Sequence, residues 1–425
     1  MTALLFELED RAQLIRSYER VRAQTEDLIR PLAIEDMVVQ TMPDVSPTKW
    51  HLAHTSWFFE KLVLERIGAD YTPFDQGFNA LFNSYYQSLG DPFPRDKRGL
   101  LSRPTVNEIV AYRHHVDSVL KALLEEGDAA TIRLLAPALT IGLNHEQQHQ
   151  ELLVMDAKHV LSHNSTPPVY RQQRTRPSVA SSAPMEWLRF AGGRVHAGSG
   201  PNGFAFDNER PRHAHHLRPF ELASRPVTSG EFQAFIEDRG YERPELWLAD
   251  GWDLVQREGW SAPLYWELTE QGWTVFTLGG RQSIGPAEPV CHVSYFEADA
   301  YARWAGCRLP SEFEWEHATE EQPMTGTFLE SGAFHPLPQA GESSQGSPAQ
   351  LFGDVWEWTT SPYAPYPGYE PFDGHLGEYN GKFMINQLVL RGGSCITPRD
   401  HVRPTYRNFF YPHQRWMFAG FRLAR

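Results

Sequence analysis

The chain has 425 residues, enough for two or three domains of about 100–200 residues each, and it combines 13 Trp, 16 Tyr and 25 Phe with 32 Gly and 32 Pro, which excludes a coiled coil, a collagen-like fibre and a disordered chain. A net charge of −14 repels a phosphate backbone, so nucleic acid is not an expected partner. Only three cysteines occur (Cys291, Cys307 and Cys395), without a CxxC pair, and no apolar run approaches the ~18 residues of a membrane span; a soluble, cytoplasmic protein without a disulfide scaffold or cysteine-rich zinc module is expected.

Residues 6–28 carry Leu8, Leu14, Ile15, Tyr18, Val21 and Leu28 at helical spacing ahead of Pro31, predicting an amphipathic helix. Ser46-Pro47 offers a capping hydroxyl before a proline suited to a first helical position, and the breaker-free run that follows predicts a helix over 48–67, stopped by Gly68. Between 71 and 103, Gly77, Gly90, Pro92, Pro94 and Gly99 predict a long ordered loop, a feature usually tied to function. Thr105 and Glu108 form a capping box that opens a helix to about 126, and 129–161 predicts another, interrupted or bent near Pro137. Four such helices suggest an up-and-down bundle over 1–162. Residues 163–185, rich in Ser, Pro and Arg, read as a linker. From 186 to 425 the texture changes to short apolar runs with frequent Gly, Pro and Trp, and only 229–238 and 295–305 are expected as helices, predicting an α+β domain with much irregular structure.

Three histidines form a pattern with a mechanism. His145 and His149 lie at i and i+4, one turn apart on one helical face, so both imidazoles can reach one metal ion. A third ligand must come from a facing helix; His51, in Trp50-His51-Leu-Ala-His54, is the natural candidate and His54 its competitor. Without thiolates the site is not a structural zinc centre of the usual kind. Imidazole-only ligation suits Fe, Zn, Cu or Ni, and three neutral ligands leave positions open for catalysis.

Trp-His-Leu-Ala-His-Thr-Ser-Trp-Phe-Phe-Glu (50–60) together with Asn-His-Glu-Gln-Gln-His-Gln-Glu (144–151) resembles the DinB-type helical domain of the ergothioneine-forming sulfoxide synthases, the EgtB family. The segments Gly192–Ser199, Arg225–Phe232, Arg308–Ala318, Gly353–Trp358 and Leu390–Ser394 resemble the formylglycine-generating-enzyme fold, a C-type-lectin-like architecture. Both halves in this order are the arrangement of the sulfoxide synthases. The fold implied is therefore multidomain α and α+β: a DinB-like four-helix bundle followed by a formylglycine-generating-enzyme-like domain. The oxidase that names the latter fold needs a pair of nearby cysteines, and here Cys395 follows its motif alone.

The resemblance implies an oxygenase that uses Fe(II) and O2 to join a sulfur donor to the imidazole of hercynine (Nα-trimethylhistidine) and to oxidise the sulfur. It implies His51, His145 and His149 as iron ligands; Gln148, Asn408 and Phe409 as hercynine contacts, with Phe410 beside them; and Arg95 at the donor's carboxylate. Where the branch that uses γ-glutamylcysteine has an Asp and an Arg, this chain has Phe410 and Gln414, which pair with neither end of a glutamyl group. Free cysteine is the implied donor, with Arg415 the residue able to compensate. Adjacent tyrosines supply a proton in the cysteine-using branch, and Tyr85 and Tyr86 match them; Tyr379 is a weaker candidate from the C-terminal half. The alternatives in the same frame are γ-glutamylcysteine as donor, histidine as acceptor, as in ovothiol formation, and a DinB-type metal-dependent thiol transferase.

Overall fold

The computed structural model describes residues 11–172, 182–339 and 346–425; the expected helix start at 6–10 and linker residues 173–181 lie outside the described residues. The chain forms two compact units. The first comprises Met1–Thr166 with two excursions from later in the chain, Pro201–Asp207 and Glu370–Gly381, and the second comprises the rest. Sequence position alone assigns both excursions to the C-terminal half.

The first unit is built from α1 (Arg11–Ile29), α2 (Thr48–Leu62), a short α3 (Phe78–Phe82), α4 (Val106–Glu126) and α5 (Ala129–Ser162). Thr105 and Glu108 close the expected capping box on α4. The Ser46 hydroxyl does not cap α2; it accepts from the Arg98 guanidinium while the Ser46 backbone N–H donates to Asp156. After Leu62 the chain tightens into 3-10 turns up to Asp70, and the expected Gly68 stop has φ +80°. Helix α5 passes through Pro137 unbroken: the proline forfeits one intrahelical hydrogen bond, and buried Leu135, Ala136, Ala138 and Leu139 hold the helix in the core.

Nearly every residue of α2 is buried, packed against α4 and α5. At the closest approach Gly142 of α5 meets the Phe59 ring, where a Cβ would come within 2.6 Å of a ring carbon. Only glycine permits that spacing, which sets α2 near enough to α5 for their imidazoles to meet.

On another face of α5, Glu146 is buried and accepts hydrogen bonds from Arg22 (2.7 Å), Arg113 (2.6 Å) and Thr25 (2.6 Å), tying α1 and α4 to the helix that carries the histidine pair. Burial pushes its carboxyl pKa up, but the Arg113 and Arg22 guanidiniums prevail and hold it at about 2. A depressed carboxyl stabilises the fold above its unfolded value, and that stability is lost as pH falls from about 4.5 towards 2. Glu146→Ala leaves buried Arg113 without a close carboxylate and Arg22 with Asp117 alone (2.6 Å), so chemical denaturation at pH 7 should show a loss of about 3–5 kcal/mol.

The second unit is mixed α and β. Its helices are α6 (Ser229–Glu237), α7 (Ala249–Glu258), α8 (Tyr295–Trp304) and α9 (Glu312–Ala318). The expected α6 and α8 each open on a capping box, as does α9. The sequence hides α7 because Gly251 interrupts its pattern; the glycine is needed where the backbone packs on the Phe296 ring, 2.8 Å from a Cβ position. The largest sheet has four strands, with Leu388–Arg391 between Asn408–Phe410 and Trp356–Pro362, and Ala419–Gly420 pairing parallel to the last. Trp315, Trp356 and Trp358 are buried in this unit. No disulfide forms among the described residues, and no helix among them is long and apolar enough to cross a membrane.

Candidate active site

Among the described residues one group of side chains can share a metal ion: His54, His145 and His149, whose ligand atoms all lie within 4.8 Å of one another. The i, i+4 pair of α5 is there as expected, but its companion from α2 is His54 in place of His51. The reason is the antiparallel register of the two helices. Along α2, His51 faces Asp156 of α5, His54 faces His145 and Phe59 faces Gly142. His51 is therefore displaced towards the C-terminal end of α5, with Nε2 3.0 Å from Asp156 Oδ2 and Nδ1 2.9 Å from His149 Nδ1.

The cluster fits a cation that prefers imidazole. His54 is stacked between Trp50 (ring centroids 4.7 Å, 10°) and Trp57 (5.5 Å, 17°), with Nδ1 2.7 Å from the Phe82 carbonyl oxygen. A carbonyl oxygen only accepts, so Nδ1 bears the hydrogen and Nε2 presents a bare lone pair, 3.2 Å from His145 Nε2. His145 stacks on Phe58 at 4.3 Å, and its buried Nδ1 has no hydrogen-bond partner. Burial pushes His54 and His149 well below the usual histidine range and His145 down to about 3, so all three rings are neutral at pH 7. Neutral imidazoles are the form that ligates metal.

Three phenols belong to the same unit. Tyr379, on the excursion 370–381, lies with its ring 5.7 Å from His145 and donates its hydroxyl to Gln148 Oε1, while Phe206 of the other excursion stacks on it at 5.4 Å. Gln148 is half-buried there. Tyr85 and Tyr86 are stacked at 4.6 Å with hydroxyl oxygens 3.4 Å apart, and Tyr86 also meets Trp57 at 5.7 Å. Burial pushes both phenols up, keeping them protonated at neutral pH. The Glu378 carboxylate accepts from the backbone N–H groups of Gln87 and Ser88, tying the Tyr85-Tyr86 loop to the segment that carries Tyr379.

Arg95 is exposed and donates to the Asp44 carbonyl. Arg98, which the sequence analysis passed over, is the buried one. Its guanidinium lies 3.3 Å above the Trp50 ring, extending the stack Arg98, Trp50, His54, Trp57, and donates to Ser46 (2.9 Å) and Ser84 (3.2 Å). Its Nε is buried without a partner, and among the described residues no carboxylate pairs with it. The sole sequence signal is an arginine one short turn beyond Arg95 in the same loop.

In the second unit Asn408, Phe409 and Phe410 form a half-buried strand. Phe409 stacks on Tyr363 at 4.0 Å and 9°, Asn408 Oδ1 accepts from the Phe409 N–H, and Phe410 sets its edge against Trp416. Arg415 is committed elsewhere: it pairs with buried Glu297 at 3.0 Å and lies 3.8 Å over Trp260. Gln414 accepts from the Tyr411 N–H.

Residues 17–163 match the DinB superfamily, and residues 173–343 and 331–425 match the sulfatase-modifying factor enzyme 1-like domain. The chain is 34% identical to the hercynine oxygenase of Mycobacterium tuberculosis over 97% of its own length and 98% of that protein. It is 33% identical to the hercynine oxygenase of Mycolicibacterium thermoresistibile, over 97% and 95%. Ergothioneine biosynthesis protein 1 of Schizosaccharomyces pombe is 29% identical over 52% of this chain and 28% of that one. With both domain matches in order and a three-histidine cluster in the helical half, the chain belongs to the hercynine oxygenase family of enzymes.

Proposed function

We propose that the protein is a non-haem Fe(II)- and O2-dependent sulfoxide synthase of ergothioneine biosynthesis, joining the sulfur of free cysteine to the imidazole carbon of hercynine. The observation that carries this reading is the convergence of three neutral imidazoles, buried His54 and His145 and half-buried His149, in a chain of this family. The reaction balances as thiol plus imidazole C–H plus O2 giving sulfoxide plus water: C–S bond formation and sulfur oxidation each surrender two electrons, and O2 takes all four. Held by His54, His145 and His149, iron would supply O2 activation and a shared binding point for the reactants.

The chain's own residues bind, orient and protonate. Hercynine's quaternary ammonium cannot donate a hydrogen bond, so aromatic faces suit it, each contact worth about 0.5–2 kcal/mol. Gln148, held by the Tyr379 hydroxyl, offers a polar amide beside the histidines. Arg98 supplies the buried positive charge for the donor's carboxylate, with Arg95 at the exposed end of the same loop. Arg415, paired with Glu297, and Gln414, occupied by the Tyr411 N–H, are unsuited to a glutamyl group, which favours cysteine over γ-glutamylcysteine.

Aerobic incubation of the Fe(II)-loaded protein with hercynine and equal cysteine and γ-glutamylcysteine, followed by mass analysis, should give hercynylcysteine sulfoxide in excess. Failure to form either sulfoxide refutes the assignment. The proton needed during C–S bond formation is assigned to Tyr85 and Tyr86. The Tyr85→Phe/Tyr86→Phe variant should divert thiol to its sulfinic acid at the expense of sulfoxide, by about 10²-fold or more in product ratio. An unchanged ratio there, with the diversion appearing in Tyr379→Phe, moves the role to the phenol beside His145.

A further inference from the structure

The three clustered imidazoles meet the surrounding protein differently. His54 gives its Nδ1–H to the Phe82 carbonyl, and His145 Nδ1 has no partner. Of the three, only His149 is hydrogen-bonded to a side chain outside the cluster. Its Nδ1 lies 2.9 Å from His51 Nδ1; His51 Nε2 lies 3.0 Å from Asp156 Oδ2; and that oxygen also accepts the Ser46 backbone N–H at 2.8 Å. His51 and Asp156 are both buried. Asp156 stands seven residues after His149, two turns on along the same face of α5, and His51 reaches from α2 to bridge the gap.

With both rings neutral, one distribution of hydrogens satisfies these contacts. The carboxylate accepts, so His51 Nε2 carries a hydrogen and its Nδ1 is a lone pair. That lone pair takes the hydrogen of His149 Nδ1, which leaves His149 Nε2 bare, the state a ligand requires. We propose that Asp156 and His51 form a buried relay that fixes the tautomer and ring orientation of His149 and strengthens its Nε2 as a metal ligand. Both are positioning residues, acting on the metal only through His149. The inference rests on the reading of His54, His145 and His149 as a metal centre, and it gives His51 a role other than ligation.

The test is anaerobic titration of the metal-free protein with Co(II), without substrates, following both affinity and the visible absorption of the bound ion. Asp156→Leu and His51→Phe are each expected to weaken binding by about 10–100-fold, the usual effect of removing a partner behind a metal-bound histidine, and to change the Co(II) absorption. Acting through one imidazole, their double variant should lose no more than the worse single variant. Asp156→Asn keeps an acceptor oxygen for His51 Nε2–H and should retain most of the affinity, a rescue that general loosening of the bundle would not produce. Should Asp156→Leu fail to fold, His51→Phe against Asp156→Asn carries the same comparison. Unchanged affinity and spectrum in His51→Phe, or losses that multiply in the double variant, overturn the relay while leaving the metal centre standing. A wild-type protein that binds neither Co(II) nor Fe(II) overturns the metal centre and the relay together.

Discussion

His54→Ala is expected to lower metal affinity by about 10²–10³-fold and to abolish turnover, whereas His51→Phe keeps a weakened but occupied centre. Four-ligand structural zinc sites bind their metal with about 10–16 kcal/mol, or about 2.5–4 kcal/mol per ligand, and each 1.4 kcal/mol is tenfold. The His54 ring is fixed on both faces by Trp50 and Trp57 and at Nδ1 by the Phe82 carbonyl, so its Nε2 is pre-aimed at His145 and little entropy is spent on binding. Nothing replaces it: His51 lies one turn away with both nitrogens engaged, by Asp156 and His149. Metal stoichiometry of the two purified variants after anaerobic Fe(II) loading and desalting distinguishes them. The reverse pattern, an empty His51→Phe and a loaded His54→Ala, would restore His51 as the ligand.

That contrast also marks what one sequence can disclose. The i, i+4 spacing of His145 and His149 is a property of a single helix, and the Thr105 capping box is local, so both were legible. Which of His51 and His54 meets that pair depends on the register between α2 and α5. That register is set by the Phe59 ring seated on Gly142, a contact between residues 83 positions apart that no local pattern encodes. The two-domain order was readable from motif texture, but the excursions at 201–207 and 370–381 were not, since their partners lie far along the chain. The second excursion is what sets Tyr379 beside His145, a placement no local pattern shows. Burial of one arginine and exposure of another three residues earlier likewise followed from Trp50, which the sequence could not place beneath Arg98.

Arg98→Met is expected to weaken the sulfur donor by about 10²-fold while leaving the donor-free protein as stable as the wild type or more so. A buried cation is ordinarily paired. Arg98 has two serine hydroxyls and an indole face, but no carboxylate among the described residues, and its Nε makes no hydrogen bond. Burial accordingly pulls the guanidinium pKa well below its usual value. The free protein carries that cost, and an amino-acid carboxylate arriving in two-pronged geometry relieves it. Charge-assisted hydrogen bonds contribute about 1.5–3 kcal/mol each, so losing such a contact raises the donor KM by about 10–10²-fold per bond. Replacing a buried ion pair by apolar residues of similar volume is often neutral or stabilising by about 1–4 kcal/mol, and Arg98→Met, which strands no partner carboxylate among the described residues, should follow that pattern. The signature is therefore a rise in cysteine KM, an unchanged hercynine KM and an undiminished melting temperature, with Arg95→Met altering all three far less. A purely structural Arg98 gives the opposite: a lower melting temperature, with both substrates affected alike. A guanidinium that recognises the donor weakens binding without weakening the fold.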